Sequence, residues 1–200
     1  MSETGGDHKV DTHEEEEDLS YKPPPEKTLN EIINADKEDE SLQKYKQTLL
    51  GAATQDLVII EADNPNRVIV KQLALLVEGR PDMVLDLSTG NLEAIKKQIF
   101  TIKEGIQYRI RIDFIVQREI VTGLKYQQKI HRHGIQVEKM NQMVGSYAPK
   151  VDLQSYTSPV EEMPSGLLSR GTYNVKSLFT DDDNHQWLKW EWNFELKKDW

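Results

Sequence analysis

The sequence contains no cysteine and no long apolar run. The absence of cysteine excludes disulfide bonds and thiolate chemistry. A membrane-spanning helix needs about 18 apolar residues in succession, whereas the longest apolar runs are Leu57–Ile60 and Leu73–Val77. The amino terminus has no basic stretch followed by an apolar one, and the carboxy terminus has no prenylation box. We therefore expect a soluble, cytoplasmic protein.

Basic residues are fewer than acidic ones, and most of the difference lies in residues 1–50. The 200 residues include 34 Asp and Glu against 25 Lys and Arg, a net charge of −9. Residues 1–50 hold fourteen acidic residues and six lysines, so residues 51–200 are nearly neutral. Nucleic acid is excluded as a partner because its phosphates would repel such a chain. The charge predicts a partly disordered acidic arm over 1–50 and a single domain over 51–200.

Motifs that carry chemistry are also missing. The sequence has no nucleophile elbow, no phosphate-binding loop and no zinc-ligand spacing, and the two histidines of His131–His133 have no carboxylate or cysteine nearby. Asp181–Asp183 resembles the start of a calcium loop, but Gln186 and Trp192 stand where that loop requires Gly and Glu. We therefore expect no enzyme activity, no catalytic residues, no metal site and no cofactor.

Two stretches alternate strictly between apolar and polar residues. In Leu188–Leu196 the side chains of Leu188, Trp190, Trp192, Phe194 and Leu196 share one face. Tyr108–Val116 has the same period of two. This period predicts strands, because successive side chains of a strand point to opposite faces. The bulky faces, with two tryptophans on one of them, either fill a thick core or line space for a ligand.

The strand signals recur along the domain at short intervals, separated by turn residues. They predict seven strands, over Leu57–Ala62, Val68–Val77, Ile99–Lys103, Tyr108–Gln117, Gln136–Met140, Thr172–Phe179 and Trp187–Lys197. No long helical pattern interrupts them. This spacing favours an all-β fold, an antiparallel sandwich of immunoglobulin type, with a closed barrel as the alternative.

The acidic arm carries two short helical patterns. A capping box at Thr28–Glu31 predicts a helix over about 28–35, and apolar residues at helical spacing predict another over about 38–50, with Gly51 as a C-cap. Helices this short are marginal alone in water. They either pack on their own domain or fold on a partner, and the excess of charge favours folding on a partner.

Several stretches together resemble the Rho GDP-dissociation inhibitors. The resemblance covers nearly everything after about residue 20 and rests on long motifs in a fixed order. These are Tyr21–Pro24, Asp36–Lys46, Leu49–Gly51, Lys103–Gly105, Arg118–Val121, Met143–Tyr147, Pro159–Glu162, Phe179–Asp183, Trp190–Trp192 and Lys197–Trp200. It implies an immunoglobulin-like sandwich that holds the geranylgeranyl tail of a Rho or Rac GTPase, in a monomeric 1:1 complex, while the arm covers the switch regions.

The resemblance also implies three groups of site residues. The group expected to face the prenyl tail comprises Leu75, Phe100, Tyr108, Ile110, Ile120, Leu168, Trp190 and Trp192. The group expected to contact the GTPase switches comprises Asp39, Ser41, Leu42, Tyr45, Leu49 and Leu50. The carboxylates expected to meet the basic tail and switch region of the GTPase are Glu138, Glu161, Glu162, Asp182 and Asp183.

Two other classes of binding sandwich compete with this interpretation. A carrier of other lipidated proteins would use a related sandwich, but it would not need the arm. A calcium-binding or lipid-surface-binding sandwich would need complete acidic loops or clustered basic residues, and the sequence shows neither. Contact with a membrane surface is therefore expected to be transient.

Overall fold

The chain folds into two β-sheets packed face to face. The computed structural model describes residues 40, 41, 43, 44 and 58–200. Ten strands cover β1 (Val68–Leu76), β2 (Met83–Asp86), β3 (Ile99–Lys103), β4 (Gln107–Val116), β5 (Val121–Arg132), β6 (Ile135–Tyr147), β7 (Gln154–Thr157), β8 (Glu161–Glu162), β9 (Gly171–Thr180) and β10 (Gln186–Lys197). A single-turn 3-10 helix covers Leu167–Ser169, and helix α1 covers Leu92–Lys97. No helix in the described part of the chain is long and apolar enough to cross a membrane.

The strand order defines two five-stranded sheets. Sheet A runs β2-β1-β4-β7, with β8 pairing to β4, and sheet B runs β3-β10-β9-β5-β6. Every pairing is antiparallel except that of β3 with β10, which is parallel. The predicted immunoglobulin-like sandwich is confirmed, and the closed barrel is excluded for the described residues because two separate sheets form.

The core lies between the sheets and is built by alternation along the strands. The core cluster includes Tyr108, Ile110, Ile112, Phe114 and Val116 of β4, and Trp190, Trp192, Phe194 and Leu196 of β10. Each wall therefore follows from the period of two read in the sequence. Aromatic rings tie the walls together, as where the Phe114 and Phe179 ring centroids lie 5.3 Å apart.

One predicted strand is wrong. Residues 58–62 form no strand, and Leu57 lies outside the described residues. The buried side chain of Gln117 takes the place of a neighbouring strand. Its Oε1 accepts hydrogen bonds from the backbone N–H groups of Ile60 at 3.0 Å and Glu61 at 2.9 Å. Backbone donors satisfied by an amide side chain need no neighbouring strand.

One long strand was missed, and another is longer than predicted. Strand β5 was missed because Gln128 occupies an inner position and breaks the apolar alternation, although it is only 2% exposed. The predicted Gln136–Met140 is part of the thirteen-residue β6. The short strands β2, β7 and β8 were not predicted either.

Candidate functional site

A narrow apolar crevice separates the two sheets on one side of the core. Its empty volume is about 190 Å³, and it is too narrow for a water molecule. Sheet A contributes four of the seven side chains that line it, and sheet B contributes three. The lining residues are Leu73, Leu75, Met83, Leu85, Phe100, Ile102 and Trp192. Pockets that hold organic ligands usually have about 300–1,000 Å³. The crevice must therefore widen before it can hold a large apolar ligand.

Trp192 is one of the three sheet B residues that line the crevice, and three contacts hold it in place. Its ring meets Phe100 edge-on at 6.2 Å between centroids and lies 5.8 Å from Phe194. Its indole Nε1 donates a hydrogen bond to Ser177 Oγ at 3.3 Å. A wall fixed in this way offers an apolar face without a polar atom directed into the crevice.

The structure brings most of the residues expected to face a prenyl tail into this region. Leu75, Phe100 and Trp192 line the crevice itself. Ile110 pairs with Leu75 across β1 and β4, and Tyr108 is the next inner residue on β4. Trp190 is buried one inner position before Trp192 on β10. Leu73, Met83, Leu85 and Ile102 also line the crevice and were missed, although alternation within predicted β1 and β3 could have indicated Leu73 and Ile102.

Two members of that expected group lie elsewhere. Ile120 follows the end of β4, where Val116 pairs with Val68, seven residues along β1 from Leu75. At about 3.3 Å per residue, Val68 and Val116 lie roughly 20 Å along the sheet from Leu75, and Ile120 is four residues beyond Val116. Leu168 lies in the 3-10 turn and is 87% exposed. Neither side chain lines the crevice, because one belongs to the opposite end of the core and the other to the surface.

A chain of polar side chains crosses the inner face of sheet B behind the crevice. The Tyr126 hydroxyl donates to Gln128 Oε1 at 2.7 Å and lies 3.0 Å from Ser177 Oγ, which accepts from Trp192. Burial raises the pKa of Tyr126 well above its usual value, so the hydroxyl stays protonated and can donate. Sequence reasoning missed this chain because it assigned no strand to residues 121–132.

Two of the expected carboxylates lie at one rim of the sandwich, beside Tyr108. The Tyr108 hydroxyl donates to Glu161 Oε2 at 2.9 Å. Burial first, and then the nearby Glu161 carboxylate, raise the pKa of Tyr108 far above its usual range. Glu138 pairs with Ile130 and therefore shares the inner face of sheet B. Its pKa is raised by burial and by the negative charge of Glu161. We call Tyr108, Glu138 and Glu161 the acidic rim.

The other expected carboxylates are less closely associated with this rim. Glu162 is exposed next to Glu161 on β8. Asp182 and Asp183 lie in the β9–β10 turn, beyond Phe179, whose ring contacts Phe114. Phe114 is six residues along β4 from Tyr108, which corresponds to roughly 20 Å. The acidic residues therefore form two groups at opposite ends of the sandwich.

The β9–β10 turn is organised by Asp181, which is 2% exposed. Its Oδ1 accepts the backbone N–H groups of Asp183 and His185, each at 3.0 Å. The side chains of Asp181, Asp183 and His185 place possible ligand atoms within 4.8 Å of one another. Asp182 instead pairs with Lys125 at 2.6 Å. The Asp181 carboxylate thus serves to close the turn.

Only a small part of the predicted arm is described. Residues 40, 41, 43 and 44 are helical and lie within the range 38–50 for which a helix is predicted. Ser41 is exposed on this helix. The other residues expected to contact GTPase switches lie outside the described residues; they are Asp39, Leu42, Tyr45, Leu49 and Leu50.

Comparison with known proteins gives consistent matches over nearly the whole chain. The family model described as RHO protein GDP dissociation inhibitor matches residues 6–199. Human Rho GDP-dissociation inhibitor 1 is 48% identical over 193 residues, covering 96% of this chain and 92% of the relative. A probable rho GDP-dissociation inhibitor of Caenorhabditis elegans is 47% identical, covering 96% and 99%. Among solved structures, a Niemann-Pick type C2 protein from the Japanese carpenter ant aligns with 70% of this chain and all of its own, at a TM-score of 0.42 and 7% identity.

Proposed function

This chain belongs to the Rho GDP-dissociation inhibitor family, and from that premise we propose that it extracts prenylated Rho-family GTPases from membranes and slows their release of GDP. Membership in the family implies Rho-family GTPases as partners. It also confirms the prediction that the chain is a regulator and not an enzyme. The proposal adds that the geranylgeranyl group enters the sandwich and that the complex is a 1:1 assembly in the cytoplasm.

The apolar crevice is the observation that carries the lipid part of the proposal. All seven lining side chains are apolar or aromatic. Burial of a prenyl chain is worth about 0.8 kcal/mol per methylene, so a dry slot can compete with a bilayer for the lipid. Since about 190 Å³ is too small for the lipid, we propose that the sheets move apart as the prenyl group enters beside Leu75, Phe100 and Trp192.

The acidic rim supports the direction of entry. Rho-family GTPases are expected to carry basic residues before the prenylated cysteine, as the resemblance implies. Burial first, and then the negative charge of the nearby Glu161, raise the pKa of Glu138. A basic segment of the partner would relieve the repulsion between the two carboxylates. We therefore propose that the rim receives the basic tail, while Glu162, Asp182 and Asp183 contact more distant basic residues.

The arm supplies the second activity. We propose that Asp39 and Ser41 contact the switch regions, with Leu42, Tyr45, Leu49 and Leu50 as the apolar face of the helix. Holding the switches in one conformation would slow GDP release, because the loops that grip the nucleotide could not open. Since arm and sandwich belong to one chain, each contact raises the effective concentration of the other. A carrier that lacks the arm would bind lipid without slowing GDP release.

The two activities can be separated by mutation. Wild-type protein should move a geranylgeranylated Rho-family GTPase from vesicles into the supernatant and slow loss of a fluorescent GDP analogue. Trp192→Ala should reduce extraction at least tenfold and leave the slowing on unprenylated GTPase intact. Trp187→Ala is the matched control, because Trp187 stacks on His185 at 5.4 Å, far from the crevice. It should extract normally.

The arm is tested in the same assays. Asp39→Ala combined with Ser41→Ala should weaken the slowing of GDP release and leave the sandwich folded. If the double variant slows GDP release as well as the wild type does, the arm does not act on the switches. If Trp192→Ala and Trp187→Ala extract equally well, the lipid does not lie in the crevice.

A further inference from the structure

Three lysines stand side by side on the outer face of sheet B. Lys129 on β5 pairs with Lys139 on β6 and also with Lys176 on β9. All three side chains are exposed. Neighbouring strands are about 4.8 Å apart, and like charges directly opposite each other destabilise a sheet. We call Lys129, Lys139 and Lys176 the lysine row.

The positive charge of the row is only partly offset within the described part of the chain, where Lys176 interacts with the Glu191 carboxylate opposite it without forming an ion pair. None of the three lysines forms an ion pair with a residue of 58–200. Glu191 lies opposite Lys176, but its carboxylate is paired with Lys96 at 2.9 Å. The row therefore places concentrated positive charge on a chain whose net charge is −9.

A polar depression adjoins the row. Its empty volume is about 500 Å³, and its walls include His131, His133, Thr172, Asn174, Lys176 and Asn193. The Nδ1 atom of His131 is buried and has no hydrogen-bond partner among the described residues. Buried polar atoms are normally hydrogen-bonded. An ammonium, a hydroxyl, amides and imidazoles on one open surface are suited to contact an anion with several oxygen atoms.

We propose that this outer face of sheet B binds the headgroups of an anionic lipid surface, with the phosphates at the lysine row. The row is broad and flat, since it crosses three neighbouring strands. The side chains two residues before or after the lysines on these strands are Gln127, His131, Val137, Asn141, Asn174 and Leu178, so the row has no Phe, Tyr or Trp ring beside it on which a nucleic-acid base could stack. A planar array of phosphates fits such a surface better than a single-stranded nucleic acid does.

The row is also well placed for a protein that takes a lipid from a membrane. Lys139 directly follows Glu138 on β6, and the two side chains point to opposite faces of sheet B. The acidic rim and the lysine row therefore share one edge strand. A membrane that meets the row lies next to the rim through which, under the proposed function, the lipid enters. Sequence reasoning found no basic cluster because only the strand register brings these lysines together.

The test uses the full chain without any GTPase, so it does not depend on the proposed function. Sedimentation with phosphatidylcholine vesicles is compared with sedimentation with mixed phosphatidylcholine and phosphatidylserine vesicles. Wild-type protein should bind only the mixed vesicles, and less as salt increases. Lys129→Gln with Lys139→Gln should weaken binding about 30-fold, which corresponds to about 1 kcal/mol per lysine. The matched control, Lys150→Gln with Lys198→Gln, removes the same charge from exposed positions outside the row and should bind within about twofold of wild type.

Several results would overturn the proposal. One is equal loss of binding in the two double variants, which would mean that only net charge matters. Another is displacement by inorganic phosphate at constant ionic strength, which would indicate a discrete phosphate site. A third is tighter binding of a short single-stranded oligonucleotide through the same lysines. Normal slowing of GDP release in the Lys129→Gln, Lys139→Gln variant would show that its fold and its arm are intact.

Discussion

The sharpest test of the crevice compares two leucines that are equally buried. Leu85 lines the crevice and is 1% exposed, whereas Leu124 is 0% exposed and lies in packed core away from it. Both are changed to alanine, so the chemistry of the substitution is identical. Any difference in the free energy of unfolding then reflects the surroundings of each side chain.

The expected difference follows from the empty volume next to Leu85. Buried Leu→Ala changes cost about 2.7–5.0 kcal/mol, depending on the cavity left behind. Leu85 borders the crevice, whose gaps are too narrow for a water molecule, so part of its side chain has no atom in contact and its removal loses fewer dispersion contacts. We expect about 3 kcal/mol for Leu85→Ala and about 4–5 kcal/mol for Leu124→Ala. In urea the two midpoints should differ by on the order of 0.5–1 M.

A lipid ligand should offset the loss of stability in Leu85→Ala but not in Leu124→Ala. A geranylgeranylated peptide at 100 times its dissociation constant should stabilise the wild type by about 2.7 kcal/mol. In Leu85→Ala the lipid can fill the removed volume, so the peptide should stabilise this variant by at least as much. In Leu124→Ala the new cavity is out of reach of the lipid, and the gain should equal that of the wild type. Urea titrations with and without peptide measure all six values.

Two results would refute this reasoning. If Leu85→Ala costs as much as Leu124→Ala, the crevice is ordinary packed core. If the peptide binds but does not stabilise Leu85→Ala more than Leu124→Ala, the lipid occupies another part of the sandwich. Farnesylated and unmodified peptides serve as controls for chain length and for binding through the peptide alone.

Two further predictions concern the acidic groups. Gly123 has φ +62°, and a Cβ there would lie 1.7 Å from Asp182 Oδ2, whereas Gly134 has φ +80° and no atom within 4 Å. Both substitutions share the cost of a positive φ, but Gly123→Ala must also displace the Asp182 carboxylate and should destabilise by about 1 kcal/mol more in urea. The pKa of Glu138 is raised in the folded state, so the folded state binds this proton more tightly than the unfolded state does. The free energy of unfolding should therefore fall as pH rises from the ordinary pKa of glutamate through the raised pKa of Glu138. Glu138→Gln should flatten that dependence in thermal unfolding between pH 4 and neutrality, and an unchanged profile would mean that the pKa of Glu138 is not raised in the folded state.

The sequence was sufficient where structure depends on local alternation. Val68–Val77 was predicted and β1 covers Val68–Leu76, while Ile99–Lys103 was predicted with the bounds that β3 has. Tyr108–Gln117 differs from β4 by one residue at each end. The period of two is a property of neighbouring residues, so it can be recognised without knowing which strands pair. The same alternation identified Trp190 and Trp192 as inner residues.

The sequence was insufficient where structure depends on distant partners. Gln128 is an inner residue because Tyr126 satisfies its amide oxygen, and nothing near it in sequence predicts that bond. Likewise, the sequence pattern of residues 58–62 predicts a strand, yet the backbone N–H groups of Ile60 and Glu61 donate to the side chain of Gln117. The crevice and the lysine row are created by register and by the packing of two sheets, so no single segment encodes them.

The separation of the two acidic groups constrains how one partner could use both. The acidic rim adjoins the crevice, whereas Asp182 and Asp183 lie roughly 20 Å away along the sandwich. A short basic tail that enters with its lipid at the rim cannot also reach the β9–β10 turn. Asp182 is, in addition, already paired with Lys125 at 2.6 Å, so a partner there must compete with an existing ion pair. The rim offers the stronger electrostatic gain, because a basic tail would relieve the repulsion from Glu161 that adds to burial in raising the pKa of Glu138.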